Sequence, residues 1–221
     1  MLMVTGDTHR DIDIQKIFYK DFTPEDIIII CGDCGFIWGS RHEDDVWMTK
    51  VRKHCKAQIM FVDGNHENFS RLNNYPVSEV YGGKVHEIAD GIYHMIRGEI
   101  YVIEGNTIFA MGGASSHDHQ FRIEGKSWWA EELHSTDDID NALTNLLRVG
   151  GKVDYVVTHC APSTTQMSLN SSYAPDICTN FLDVIKESIS FKKWYFGHYH
   201  VDEDISQKFS CLYKTVKEIG K

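Results

Sequence analysis

Four consecutive isoleucines, Ile27 to Ile30, leave few folds open to this chain. A β-branched run too continuous to be half-exposed needs cover on both faces, so it reads as a strand buried between packed layers. It ends in Gly32-Asp33. Residues 1–5 and 58–62 are further apolar runs of strand character, and segments of helical spacing separate the three. Residues 11–20 carry Ile12, Ile14, Ile17 and Phe18 on one side, and residues 42–56 carry Val46, Trp47, Val51 and Cys55. This β-α-β-α-β rhythm predicts parallel strands joined by crossover helices.

From residue 84 to 111 the texture changes. Short β-rich pieces at 85–88, 92–96, 100–103 and 107–111 are divided by Gly91, Gly98 and Gly105, which predicts successive antiparallel strands in a second sheet. Residues 112–136 are polar and aromatic without a period, and an insertion of that length marks a functional loop. A helix is expected at 137–149, with Ile139, Ala142, Leu143, Leu146 and Leu147 as its buried stripe. A strand at 153–157 then runs into Thr158-His159, a helix follows near 175–188, and Trp194-Tyr195-Phe196 leads into Gly197-His198-Tyr199-His200. Residues 212–216 read as a last edge strand. With no repeat or linker, 221 residues suit a single α/β (α+β) domain over 1–221, burying roughly 70–75% of the unfolded surface.

Charge narrows the partners. The chain has 22 basic and 32 acidic residues, a formal charge of −10, which repels a nucleic-acid backbone unless basic groups cluster locally. Lys50, Arg52, Lys53 and Lys56 are the best such cluster, and they read as a solvated helix face paired with Glu43, Asp44 and Asp45. No run approaches the ~18 apolar residues of a membrane span, and the first residues lack a signal peptide's apolar region. Six cysteines without export signals are expected as free thiols in the cytoplasm. Cys31 and Cys34 form a C-x-x-C with no second pair to complete a zinc site.

The functional signal lies at the ends of the apolar runs. Asp7/His9, Asp33, Asn65/His66, His159 and His198/His200 each follow a β run, and parallel strands bring their carboxyl ends to one edge. Within Gly64-Asn65-His66-Glu67, Asn65 can fill a hard-cation position without adding charge, which leaves His66 free for proton transfer. Without His66, two carboxylates, an amide and four imidazoles remain. That is more than one ion uses, but it suits two if Asp33 bridges. A mixed N/O set without thiolate favours Mn²⁺ foremost, with Fe or Zn²⁺ also suited. Two such ions ~3.5–4 Å apart acidify water and clamp phosphoryl oxygens, so a small phosphate ester is the natural substrate. Serine-hydrolase, dinucleotide and Walker-type motifs are absent.

Asp-x-His, Gly-Asp, Gly-Asn-His-Glu, a lone His and Gly-His-x-His, in this order over residues 6–200, resemble the calcineurin-like metallophosphoesterase superfamily. The resemblance implies a four-layer fold, with two mixed sheets face to face and helices outside. It also implies that Asp7, His9, Asp33 and His200 hold one ion and Asp33, Asn65, His159 and His198 the other, with hydrolysis by a metal-activated hydroxide. His66 becomes the general acid for the leaving oxygen.

The superfamily's protein phosphatases extend Gly-Asp into Gly-Asp-x-x-Asp-Arg-Gly, whereas Cys34-Gly35-Phe36-Ile37-Trp38-Gly39 follows Asp33 here. The carboxylate that would orient the catalytic His and the phosphate-binding Arg are therefore missing from those positions. Arg122 is the first substitute cation, then Arg10 and Arg41. Gly112-Gly113-Ala114, Asp118, Arg122, Trp128-Trp129 and Glu131-Glu132 resemble a subset of small bacterial members. His117 and His119 in the same loop are candidates for substrate contact. A metallo-β-lactamase reading of His198-Tyr199-His200-Val201-Asp202 fails because Glu203 replaces its last His and no His follows His200. The alternatives left open are a scaffold that binds metal with little catalysis, and a nuclease or cyclic nucleotide phosphodiesterase.

Overall fold

A computed structural model describes residues 1–220. The chain begins with β1 (Leu2–Thr5), α1 (Gln15–Phe18), β2 (Ile27–Ile30), α2 (Arg41–His54), β3 (Gln58–Phe61) and α3 (Phe69–Leu72). Strands β4 (Val77–Val80), β5 (Gly83–Ala89), β6 (Ile92–Met95), β7 (Ile100–Ile103) and β8 (Asn106–Met111) follow in succession. After the insertion come α4 (Thr136–Arg148), β9 (Tyr155–Thr158), α5 (Ser163–Leu169) and α6 (Ile177–Ser188). The chain closes with β10 (Lys193–Phe196), β11 (Glu203–Asp204), β12 (Phe209–Cys211) and β13 (Val216–Glu218).

Two mixed sheets result. One has seven strands in the order β13-β1-β2-β3-β6-β5-β4, the other six in the order β11-β12-β10-β9-β8-β7. Pleat alternation sorts their side chains into layers. In β2, Ile28 and Ile30 pack with Ile17, Trp47 and Val51 of the first helices. Ile27 and Ile29 face the other way, against Ile108, Ala110, Tyr155 and Val157 of the second sheet. In β8 the odd positions Phe109 and Met111 turn outward to Ala142, Leu146, Leu182 and Ile185 of α4 and α6. Helix, sheet, sheet and helix are thus stacked around three apolar seams, the four-layer arrangement expected. The isoleucine run is continuous because each of its faces meets a different seam.

Pairing β1–β2–β3 and β8–β9–β10 is parallel, so the strand ends that carry the polar groups lie at common edges. The helices are held by local chemistry at their starts. Ser40 caps α2 and Ser135 caps α4 in reciprocal capping boxes with Glu43 and Asp138.

Several expectations need correction. The strands of 85–111 do not form one antiparallel set: β5 and β6 extend the first sheet, with β6 parallel to β3, and only β7 and β8 enter the second. Period-2 patterning names a strand but not its partner. The first helix shrinks to α1 because residues 11–14 form turns, which leaves Ile12 75% exposed. Residues 212–216 are not one strand. Asp202 accepts the backbone N–H groups of Tyr213, Lys214 and Thr215 and fixes a turn there, so β12 ends before it and β13 starts after it, each in a different sheet.

On α4 the buried face is Ala142, Asn145 and Leu146, with Leu143 and Leu147 outward; on α2, Val46 is likewise outward. The basic cluster does not pair with Asp44, which is buried beneath Arg10 and Arg71. Arg52 instead donates to the carbonyl of Ala57, and Lys50 lies over the Trp47 ring. All six cysteines are free and buried.

Candidate metal centre

The backbone pays for this site in conformation. His9, Arg10, Asp33, His198 and His200 all have positive φ, which elsewhere among the described non-glycine residues occurs only at Tyr81 and Glu104. Such left-handed residues cost about 1–3 kcal/mol each and persist where the surroundings over-determine them. Two glycines make room for the carboxylates: a Cβ on Gly64 would lie 2.0 Å from Asp33 Oδ1, and one on Gly197 2.1 Å from Asp7 Oδ1. These close approaches let the His66 N–H donate to Asp33 Oδ1 at 2.8 Å and the His198 N–H to Asp7 Oδ1 at 2.9 Å.

All seven expected ligands converge. His200 Nε2 stands 3.1 Å from Asp7 Oδ2, with His9 Nε2 at 3.8 Å from the same oxygen. Asp33 divides its oxygens between the two halves, Oδ2 lying 3.6 Å from His9 Nε2 and Oδ1 3.5 Å from His159 Nε2. His159 Nε2 is also 3.2 Å from Asn65 Oδ1 and 3.2 Å from His198 Nδ1. Two groups have donor atoms close enough to share an ion, Asp7–His9–His200 and Asp7–Asp33–His159, so Asp7 as well as Asp33 touches both halves. The first half is open, with His200 half exposed; His159, Asp33 and Asn65 are buried.

Tautomers follow from fixed partners. His159 Nδ1 is 2.7 Å from the Cys31 carbonyl, which can only accept, so the proton sits there and Nε2 is left for the site. His9 Nδ1 faces Asp13 Oδ2 at 3.0 Å in the same way. Burial alone would strip charge from both rings, yet the carboxylates outweigh it: Asp33, Asp13 and Asp7 carry His9 up to about 9, and Asp33 and Asp7 carry His159 up to about 10. Burial and the charge on His159 push His198 down to about 3. Two buried carboxylates therefore recruit protons as counter-charge, which is the demand a divalent cation meets. Asp7 Oδ2 is buried with no well-aligned hydrogen bond and faces the ring nitrogens of His200 at 3.1 Å and His9 at 3.8 Å, an acceptor that fits a metal ligand.

The supporting roles of further side chains are not read from the sequence, although Glu67 and Glu132 fall within its motifs, because most of their contacts join distant stretches of chain. Lys16 donates to the carbonyls of Gly6, Asp7 and Tyr213 and so ties down the end of β1; its burial lowers it to about 8. Ser116 accepts from Asn65 Nδ2 at 3.1 Å and donates to Glu132 Oε2 at 2.7 Å, which turns the amide oxygen of Asn65 toward the ligands. Glu67 Oε1 accepts the Cys34 N–H at 3.1 Å, and burial raises its carboxyl to about 8, so it is largely protonated at neutral pH. Asp63, beside Gly64, is clamped by Arg97 and by His94 Nε2 at 3.0 Å; Arg97 also binds the carbonyls of Glu131 and Leu133 and anchors the insertion.

His66 is beside the cluster, not within it, its Nε2 3.9 Å from Asp33 Oδ2. Burial and the Arg122 charge lower it, against the pull of Asp33. Arg122 Nη1 donates to His66 Nδ1 at 3.1 Å, while its Nε binds Asp118 at 2.7 Å. Arg10, the second candidate, is consumed by Asp44 Oδ1 at 2.8 Å and the Glu43 carbonyl at 3.0 Å. Arg41 opens α2 as an exposed residue. His117 comes near the ligands, its ring 6.2 Å from that of His198, whereas His119 bonds the Ser116 carbonyl and lies by Trp128. A cleft of about 280 Å³ opens beside His9, Asp33 and His66, walled by Arg10, Asp11, Ile12, Gly35 and Trp38.

Layers and donor set together define a two-sheet α/β protein built around a metal-binding edge. The chain belongs to the calcineurin-like phosphoesterase family, whose model matches residues 1–202. Its members bind divalent metals, and metal-dependent phosphoester hydrolysis is the activity of the family. A search of curated proteins returned no match. Among the described residues no helix is long and apolar enough to cross a membrane.

Proposed function

We propose that this chain hydrolyses small phosphate esters with two divalent ions, Mn²⁺ by preference, bridged by Asp33. Asp7, His9 and His200 complete one position, and Asn65, His159 and His198 the other. The observation that carries this reading is the convergence of four imidazoles and one amide on two buried carboxylates, seven nitrogen and oxygen donor groups in all. When bound, such ions polarise phosphoryl oxygens and activate water.

The remaining chemistry belongs to the chain's own side chains. A bond forms from the oxygen of water, whose released proton passes to solvent, to phosphorus, and the ester P–O bond breaks with its electron pair on the leaving oxygen. His66, at the edge of the cluster, gives that oxygen a proton. Its resting preference for the neutral form is offset when a phosphate dianion enters beside it, since a nearby negative charge favours the imidazolium. Arg122, held by Asp118 and the Ser127 carbonyl with both Nη atoms facing the His66 ring, would have to give up its contact with that ring to meet the phosphate oxygens, a match for planar guanidinium. A small ester is the better substrate than long nucleic acid, because the charge of −10 and the engagement of Arg10 by Asp44 leave no basic track. Six buried free thiols suit a reducing compartment such as the cytoplasm.

The test is metal content and turnover of Asp33→Asn against the parent, both reconstituted with Mn²⁺ and assayed on a panel of mono- and diesters. The parent should bind two ions and hydrolyse esters; the variant should bind both ions weakly and lose activity. Two ions bound at near-parental affinity in Asp33→Asn would sink the bridged model. Two ions with no hydrolysis across the panel would favour a metal-binding scaffold.

A further inference from the structure

The cleft beside His66 starts at the candidate ligands His9 and Asp33 and extends past them, and its composition there is selective. Its wall joins His9, Asp33 and His66 to Ile12 and Trp38, with Arg10 and Asp11 as the other charged side chains. Arg10 has Nη1 on Asp44, a carboxylate shared with Arg71, and Nη2 on the Glu43 carbonyl, and it lies over the Trp47 ring, so two of its donor nitrogens are already engaged. Asp11 then leaves the cleft unfavourable to a second phosphate or carboxylate. Ile12 is 75% exposed on this wall, held out by the turns that replace the expected helix. Trp38 is fixed from behind by Trp129, ring centroids 5.6 Å apart, and stands 6.1 Å from the His66 ring.

We infer that this cleft receives the leaving group of the ester, and that the preferred substrate is a phosphate ester of a small, uncharged, apolar alcohol. The inference rests on the proposed reaction, because the group that departs lies on the side of the proton donor, and His66 lines the cleft. Arg122, which contacts the His66 ring and does not line the cleft, is the cation nearest the donor for the phosphate. A volume of about 280 Å³ is at the low end of the roughly 300–1,000 Å³ usual for small-molecule sites, so only a short chain or a single ring fits. Each methylene buried against Ile12 and Trp38 should then strengthen binding by about two- to fourfold until the cleft is full.

Two series measured on the Mn²⁺-reconstituted full chain test this: hydrolysis of ethyl, butyl and hexyl phosphate, and binding of the matching non-hydrolysable alkylphosphonates by tryptophan fluorescence. The expected result is a stepwise rise in kcat/KM and in phosphonate affinity from ethyl to hexyl. Ile12→Asp, at an exposed turn, should flatten both series, whereas Leu147→Asp on the distant face of α4 should leave the steps intact. Hydrolysis with no dependence on chain length, or a preference for glycerol phosphate or nucleotides over hexyl phosphate, would overturn the apolar cleft while leaving the phosphoesterase reading in place. Hydrolysis of no ester at all would overturn that reading, and the phosphonate series would still decide the cleft by binding alone.

Discussion

At His66 two neighbours act in opposite directions. Arg122 donates to the ring and, with burial, disfavours an imidazolium; Asp33 favours one. No carboxylate within hydrogen-bonding distance fixes its tautomer, since Asp33 Oδ2 is 3.9 Å away. If His66 donates a proton, its value depends on the leaving group. An alkoxide is strongly basic and needs the proton in the transition state, which a positioned acid supplies at about 10²–10⁴-fold. A nitrophenolate is stable as an anion. His66→Asn should therefore keep both ions, lose about a hundredfold or more on alkyl phosphates and lose much less on nitrophenyl phosphates, read as kcat on each ester with metal content measured in parallel. Equal losses on both, or loss of an ion, would make His66 a positioning group or a ligand.

Among the connecting elements that carry no candidate ligand, the insertion between β8 and α4 touches the site directly. It supplies Ser116, whose hydroxyl is held by Glu132 and in turn holds the Asn65 amide, and it is anchored through carbonyls 131 and 133 by Arg97. Without Ser116 the amide can turn its NH₂ toward the ligands, which repels a cation. Groups behind metal ligands typically contribute 10–100-fold to affinity, so Ser116→Ala should weaken one Mn²⁺ by about tenfold or more and leave the other near the parental value. Calorimetric titration of the parent and Ser116→Ala would show it; unchanged affinity at both positions would reduce Ser116 to a loop tether. The strand-end placement of the candidate ligands Asp33 and His159 was legible in the sequence because each follows its own apolar run, and parallel strands bring those ends to a common edge. Lys16, Ser116 and Glu132 were not, because nothing local relates Lys16 to the carbonyl of Tyr213 or Glu132 to Asn65. The same limit explains β6 and β7: their alternation is visible in the sequence, but which sheet each joins depends on the partner strand, β3 for one and β8 for the other.

Across the whole molecule, charge is arranged so that folding depends on pH at a histidine outside the candidate ligand set. His134, just before α4, is buried, with Nε2–H donating to the Gly112 carbonyl at 2.8 Å and Nδ1 unpartnered. Around it stand Arg97 beside β6, Asp63 at the end of β3, Asp138 in α4, and Cys178 and Phe181 in α6. Burial and the Arg97 charge, outweighing Asp63 and Asp138, push His134 down to about 4 from its ordinary 6.5. A depressed histidine favours the folded state only while neutral. Its contribution is complete above pH 6.5, where the unfolded ring is also neutral, and is lost as pH falls toward 4, because the unfolded chain takes up the proton first. Over that window the loss amounts to about 3 kcal/mol, a large part of the 5–15 kcal/mol typical of a domain. Urea unfolding of the parent should therefore weaken steadily from pH 6.5 to 4.5. His134→Gln keeps a donor for Gly112 but cannot titrate, so its unfolding free energy should fall less steeply, by about 1 kcal/mol per pH unit relative to the parent. Parallel pH profiles for the two proteins would mean that His134 is already charged in the fold, or that its neighbours shift to accept the proton.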